Sequence, residues 1–194
     1  KSVMAFEEAY LMSQTNPNIR LESDFYFYYG AACERNGEFE RSVNLFKKAI
    51  ELNPDYADAY NYLGYMYADK GINLDESLKL IEKAISYEPN NGAFIDSLGW
   101  IYYKLGKYDQ AVVELQKAVE LIRDDSVVFE HLGDVYQKLG KRDQAAIQWQ
   151  KAFQHDPKNE ALLNKLKGAG VDPAAIPPLE PKKKPVPPPP PTPT

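Results

Sequence analysis

Two glycines return along this chain at a near-constant interval, and few folds tolerate that. The first falls at Gly30, Gly64, Gly99 and Gly133, spaced 34, 35 and 34 residues apart, and the second at Gly37, Gly71, Gly106 and Gly140 with the same spacings. Small residues keep the register at Ser42, Ser77, Ala111 and Ala145, then at Ala49, Ala84, Ala118 and Ala152. Large apolar residues accompany them, among them Tyr26, Tyr60, Phe46, Ile81, Leu115 and Trp149. Self-similarity on this scale marks a stack of identical supersecondary units rather than a single folded core.

A unit of this length has room for two short helices, which could not bury their apolar faces alone and would have to stack on their neighbours. The first glycine of each unit sits mid-helix, where Gly costs about 1 kcal/mol against Ala, so a close approach of the facing helix is expected there. The second sits where that helix ends, in the left-handed cap conformation. The second unit carries one extra residue in the turn between Gly71 and Ser77. Asn73 is expected to cap the helix that follows, with Asp75 and Glu76 in its first turn.

These positions resemble the tetratricopeptide repeat over Ser23 to Asn159, as four units at 23–56, 57–91, 92–125 and 126–159. Pro54, Pro89 and Pro157 close three of them, and Arg123 stands where the third would have its proline. The resemblance implies an all-α fold, a right-handed superhelical solenoid of helix-turn-helix repeats. Residues 1–22 read as the second helix of a truncated preceding repeat plus a turn at Asn16-Pro17-Asn18. Val3, Phe6, Ala9, Tyr10 and Leu11 would lie on one stripe of that helix, leaving a face exposed. Residues 160–170 read as a capping helix ended by Gly168 and Gly170. Residues 171–194 hold 11 of the 15 prolines and the run Lys182-Lys183-Lys184, and are expected to be disordered or extended.

Composition excludes several functions. A formal net charge of −5 opposes non-specific nucleic-acid binding, which needs many cations against phosphate. No apolar run is long enough to span a membrane as a helix. Cys33 is the one cysteine and His131 and His155 the only histidines, so neither a metal-ligand cluster nor a nucleophile-base-orienter set is visible. Cys33 occupies the inward position held elsewhere by Tyr67, Tyr102 and Tyr136, so it is expected in the core. No enzyme activity, metal or cofactor is therefore expected.

The resemblance places the first helix of each unit along a concave face, with the residues between the core positions lining it. The first unit contributes Asp24, Phe27, Tyr28, Ala31, Glu34 and Arg35. The second contributes Asp58, Asn61, Tyr62, Tyr65 and Asp69, and the third Asp96, Ser97, Trp100, Tyr103 and Lys104. The fourth contributes Val127, Glu130, His131, Asp134, Gln137 and Lys138. Tyr65 and Trp100 are the expected recognition residues, because aromatic side chains dominate interface hot spots; the carboxylates would make the wall acidic. The implied function is a non-catalytic scaffold or adaptor holding an extended protein segment, basic or proline-rich in character. Relatives that clamp the acidic tails of heat-shock chaperones use Lys, Arg and Asn in the groove. Here Phe27, Ala31, Ala93 and Ser97 stand at four such positions, which argues against that role.

The wording from Tyr62 to Ser77 and from Asn91 to Trp100 is similar to the C-terminal repeats of long bacterial tetratricopeptide proteins. Many of those are envelope lipoproteins, and some are adaptors for a carboxyl-terminal processing protease. The proline-rich tail reads as a spacer, as a ligand for aromatic-lined domains, or as an occupant of the groove in the same or a neighbouring molecule. A second function class is self-assembly through the exposed helix at 2–14 or through the tail.

Overall fold

The computed structural model describes residues 2–179, and every regular element among them is helical. The helices are α1 (Ser2–Thr15), α2 (Ser23–Arg35), α3 (Phe39–Leu52), α4 (Ala57–Lys70), α5 (Leu74–Tyr87), α6 (Gly92–Lys104), α7 (Tyr108–Leu121), α8 (Ser126–Lys138), α9 (Arg142–His155) and α10 (Glu160–Gly168). They pack as successive pairs, α2 with α3 through α8 with α9, and each second helix also packs on the first helix of the next pair. First helices meet one another as well, α4 against α6 and α6 against α8. Two layers result, with α2, α4, α6 and α8 forming one face.

Helical spacing explains the second layer. In α5 the buried residues are Ser77, Ile81 and Ala84, in α7 Ala111, Leu115 and Ala118, and in α9 Ala145, Trp149 and Ala152. That i, i+4, i+7 stripe buries one side of each helix and leaves the other to solvent. The mid-helix glycines are the counterpart on the first helices. A Cβ added at Gly99 would sit 2.5 Å from Leu115 Cγ and 2.9 Å from its Cδ2, so the large residue of the partner helix fills the space a side chain would need. At Gly64 the approach is close enough for Ser77 Oγ to donate to the glycine carbonyl at 2.6 Å. Cys33 is fully buried, as its register requires.

Asn73 departs from expectation. Its φ of 48° places it in the left-handed region, and its side chain makes no capping hydrogen bond. A capping residue needs extended backbone to aim its oxygen at the first turn. The extra residue of this unit uses that freedom to complete the turn after Gly71. Asn91, Asp125 and Asn159 do cap, accepting from Ala93 N, Val127 N, and both Ala161 N and Leu162 N.

Both ends add to the stack. Helix α1 lays Phe6 flat on Tyr29 at 5.4 Å and Tyr10 edge-on to Tyr26 at 6.5 Å. Met4, Leu11 and Met12 stay exposed, so Leu11 falls outside the packed stripe. At the other end Leu162 and Leu166 of α10 are fully buried. The sequence predicts an extended tail from 171, yet residues 171–177 fold back on the last repeat, while Leu179 stays exposed. Val171 and Ile176 lie against the last core, Pro173–Ala175 forms a 3-10 turn, and Gln154 Nε2 donates to Pro177 O at 2.9 Å. Proline-rich composition masked two apolar residues that the cap can bury. The Lys182 to Lys184 and Pro187 to Pro191 runs lie outside the described residues.

Replacing a mid-helix Gly by Ala should stabilise an exposed helix by about 1 kcal/mol. At Gly99 the sign is expected to reverse, because overpacking against Leu115 costs about 1–3 kcal/mol. Urea midpoints of Gly99→Ala and of Gly168→Ala, where a Cβ would meet nothing within 4 Å, should move in opposite directions or leave Gly168→Ala unchanged.

Candidate concave binding face

The first helices bring the candidate residues onto one surface, but not with equal exposure. Asp58 and Asp69 are exposed, and Tyr62 is 39% exposed, while Tyr65 is half-buried. Asn61, Asp96, Trp100 and His131 are buried. Two hollows open on this surface. One, between α2 and α4, is lined by Glu34, Phe39, Tyr62, Tyr65, Met66 and Asp69, with Gly37 and Lys70 at its edge. The other, where α4, α6 and α8 converge, is lined by Asn61, Tyr62, Tyr65, Ala93, Asp96 and Ser97, backed by Ile122, Asp125, Val127 and Val128. Tyr62 and Tyr65 line both, so the two hollows lie side by side and share these tyrosines as a common wall.

Tyr65 reports the electrostatics of this face. Its phenol is pushed well above its ordinary value, first by burial and then by the carboxylates of Asp69, Asp96, Glu34 and Glu130. Those four belong to α4, α6, α2 and α8, so every first helix contributes negative charge to one place. Tyr103 is raised too, by burial and by Asp134.

Several expected groove residues are held by neighbours. His131 Nδ1 lies 3.1 and 3.0 Å from the two carboxylate oxygens of Asp96; a carboxylate only accepts, so the ring nitrogen donates. Trp100 stacks on His131 at 4.1 Å and on Tyr103 at 4.7 Å, with Lys104 Nζ 4.8 Å from the ring centroid. The sequence reading offers Trp100 as a contact residue, but at 8% exposed it supports the wall instead, and its Nε1 has no hydrogen-bond partner among the described residues. Glu130 and Asp134 both take Lys165 of α10, each at 2.7 Å, and Asp134 also accepts from Trp149 Nε1 at 3.0 Å. Lys165 was not among the candidate residues, since a capping helix reads as polar outward. Its spacing of 35 from Glu130, one repeat plus one, is the signal that finds it. Lys165 of α10 thus occupies both acids of the fourth unit, while Asp58 and Asp69 of the second stay exposed. Among the described residues no His, Cys, Asp and Glu group has metal-binding geometry.

The comparisons agree with this architecture. A family model described as TPR repeat matches residues 26–71 and 99–140. A TPR repeat-containing protein of Pseudomonas aeruginosa is 35% identical over 79 residues, covering 41% of this chain and 13% of that protein. Anaphase-promoting complex subunit 3 of Schizosaccharomyces pombe is 30% identical over 109 residues, covering 55% of this chain and 16% of that protein. The matches therefore span well under a quarter of either relative. Among solved structures, a thermophilic TPR protein of Thermus thermophilus superposes with a TM-score of 0.71 at 21% identity, covering 86% of this chain and 88% of that one. YrrB, described as a TPR protein with an unusual peptide-binding site, gives 0.58 at 26% identity over 86% and 82%. The chain is a tetratricopeptide repeat protein, an all-α solenoid whose repeats are the helix pairs described above.

Lys165 offers a direct test of the closure. Burial would lower its ammonium value, but hydrogen bonds to Asp134 and Glu130 outweigh this and raise it. A group raised on folding contributes its full stability below the unfolded value and loses it as pH climbs through the folded one. Lys165→Met is expected to cost about 1–3 kcal/mol near neutral pH, by stranding two half-buried carboxylates. The gap between variant and parent in urea midpoint should narrow once pH passes about 10.4.

Proposed function

We propose that this chain is a non-catalytic scaffold that holds an extended segment of a partner protein along the face of α2, α4, α6 and α8. The observation that carries this reading is that two adjacent hollows share Tyr62 and Tyr65 as a common aromatic ridge. Between them the two hollows are lined by residues from the first repeat to the fourth, which suits an extended chain better than a compact small molecule. Tyrosines supply contact area at low entropic cost, and such residues concentrate binding energy. Proteins of this family generally act as interaction scaffolds, and two similar structures concern peptide binding: YrrB, with its unusual peptide-binding site, and the first TPR of Spaghetti (RPAP3) bound to the HSP90 peptide SRMEEVD. An acidic peptide of that kind suits this face poorly, since carboxylates from four helices already converge on Tyr65.

Peptides selected from a random dodecapeptide display library against the full chain should bind through Tyr62 and Tyr65. Tyr62→Ala with Tyr65→Ala is expected to weaken them at least tenfold by calorimetric titration, which corresponds to about 1.4 kcal/mol. Unchanged affinity in a variant that still melts cooperatively would remove the concave face as the site. The exposure of Met4, Leu11 and Met12 on α1 favours a second reading, self-assembly through that helix. Sedimentation of the isolated chain across a wide concentration range separates the two. The scaffold reading expects a monomer throughout, whereas self-assembly through α1 gives mass that rises with concentration and falls back in Met4→Lys with Leu11→Lys.

A further inference from the structure

One register of the repeat forms a ladder across the concave face. Phe27, Asn61, Asp96 and Glu130 occupy the same place in units one to four, and Tyr62, Ser97, His131 and Lys165 occupy the place one residue later in the helix that follows each. The pairs so defined touch in three of the four cases. Phe27 meets Tyr62 edge to face at 5.1 Å, Asp96 accepts from His131 at 3.0 Å, and Glu130 accepts from Lys165 at 2.7 Å.

The remaining rung, Asn61 with Ser97, is open. Ser97 is too short to play the part of His131 or Lys165, and its hydroxyl donates instead to Ala93 O at 3.0 Å in its own helix. Asn61 is 9% exposed, and its Oδ1 is buried with no hydrogen-bond partner among the described residues. A buried acceptor left unpaired is destabilising, so a donor that reaches it is favoured. The space beside it is the hollow where α4, α6 and α8 converge. The charged side chains lining that hollow are Asp96 and Asp125, and no Lys or Arg among the described residues lines it. Ile122, Val127 and Val128 give it an apolar wall, and Tyr62 and Tyr65 flank it.

We propose that this open rung is a specificity pocket for the side chain of one lysine or arginine in the bound partner segment. The deduction rests on the scaffold reading above and names the chemistry that reading leaves open. The cationic head takes the place that His131 and Lys165 hold in the next two rungs, donating to Asn61 Oδ1 under the field of Asp96 and Asp125. Its methylene stem lies along the apolar wall, as long cationic side chains do on apolar surface. The tyrosine faces add the attraction that aromatic rings exert on cations. The occupant is taken to be a segment of another protein. After α10 the chain turns back onto α9, where Gln154 holds Pro177, in the second-helix layer and not on the concave face.

The test uses the dodecapeptide library already named, selected separately against the full chain, Asn61→Leu and Ser97→Lys. Asn61→Leu removes the acceptor, and Ser97→Lys closes the rung from within as Lys165 does. Wild-type selections should be enriched severalfold in Lys or Arg at one position, and both variants should lose that enrichment while keeping cooperative melting. Replacing the enriched residue by norleucine in a synthetic peptide should weaken wild-type binding at least tenfold and leave Asn61→Leu unaffected. Wild-type peptides with basic residues at library frequency would overturn the pocket while leaving the scaffold reading intact. Failure to select any peptide would overturn both. Displacement of a selected peptide by a synthetic peptide of residues 180–194 would overturn the assignment to another protein and give the pocket to this chain's own lysines.

Discussion

Each repeat depends on one close approach, the meeting of a bare mid-helix backbone at the first glycine with a large side chain from the partner helix. Phe46, Ile81, Leu115 and Trp149 fill the space over Gly30, Gly64, Gly99 and Gly133. The helix propensity given up at each glycine is offset by burial of the large residue, all four of which are almost wholly withdrawn from solvent. Because the same contact recurs in every unit, successive pairs stack in the same way. That regularity brings the first helices side by side and makes a single concave face possible.

On that face, spacing becomes chemistry. A residue and the one a repeat plus one further on lie against each other across adjacent helices, so each rung can be apolar, hydrogen-bonded or ionic without any change of backbone. The chain uses all three, with Phe27 on Tyr62, Asp96 on His131 and Glu130 on Lys165. Lys165 has a double role. It ties α10 to the array and pairs with both acids of the fourth unit, offsetting part of their charge. On the proposed reading, an acidic face with aromatic ridges would disfavour acidic ligands, since like charges brought together in a partly desolvated groove repel.

The periodic glycines, the alternating helical stripes and the left-handed caps were legible in the amino-acid order because each is a local requirement repeated four times. Gly37, Gly71, Gly106 and Gly140 all adopt positive φ, as a helix stop at those positions demands. Candidate lining residues could also be named, since register assigns a face. Their exposure could not. Trp100 occupies a concave register but is covered by His131 and Tyr103, and nothing in its own repeat announces that the neighbour carries a ring able to stack on it.

Which side chains pair across repeats is a property of the stack, because residues some 35 positions apart meet only after the helices have been laid side by side. The same holds at the edges. Asn73 looked like a cap until the extra residue of its turn placed it in the left-handed region, and Val171 and Ile176 looked like tail until α10 offered them a surface. Local backbone preference and periodicity set the repeat, its boundaries and its class of fold. The open rung at Asn61, the ionic closure at Lys165 and the burial of Trp100 came from packing, since burial and pairing belong to neighbours that are remote along the chain.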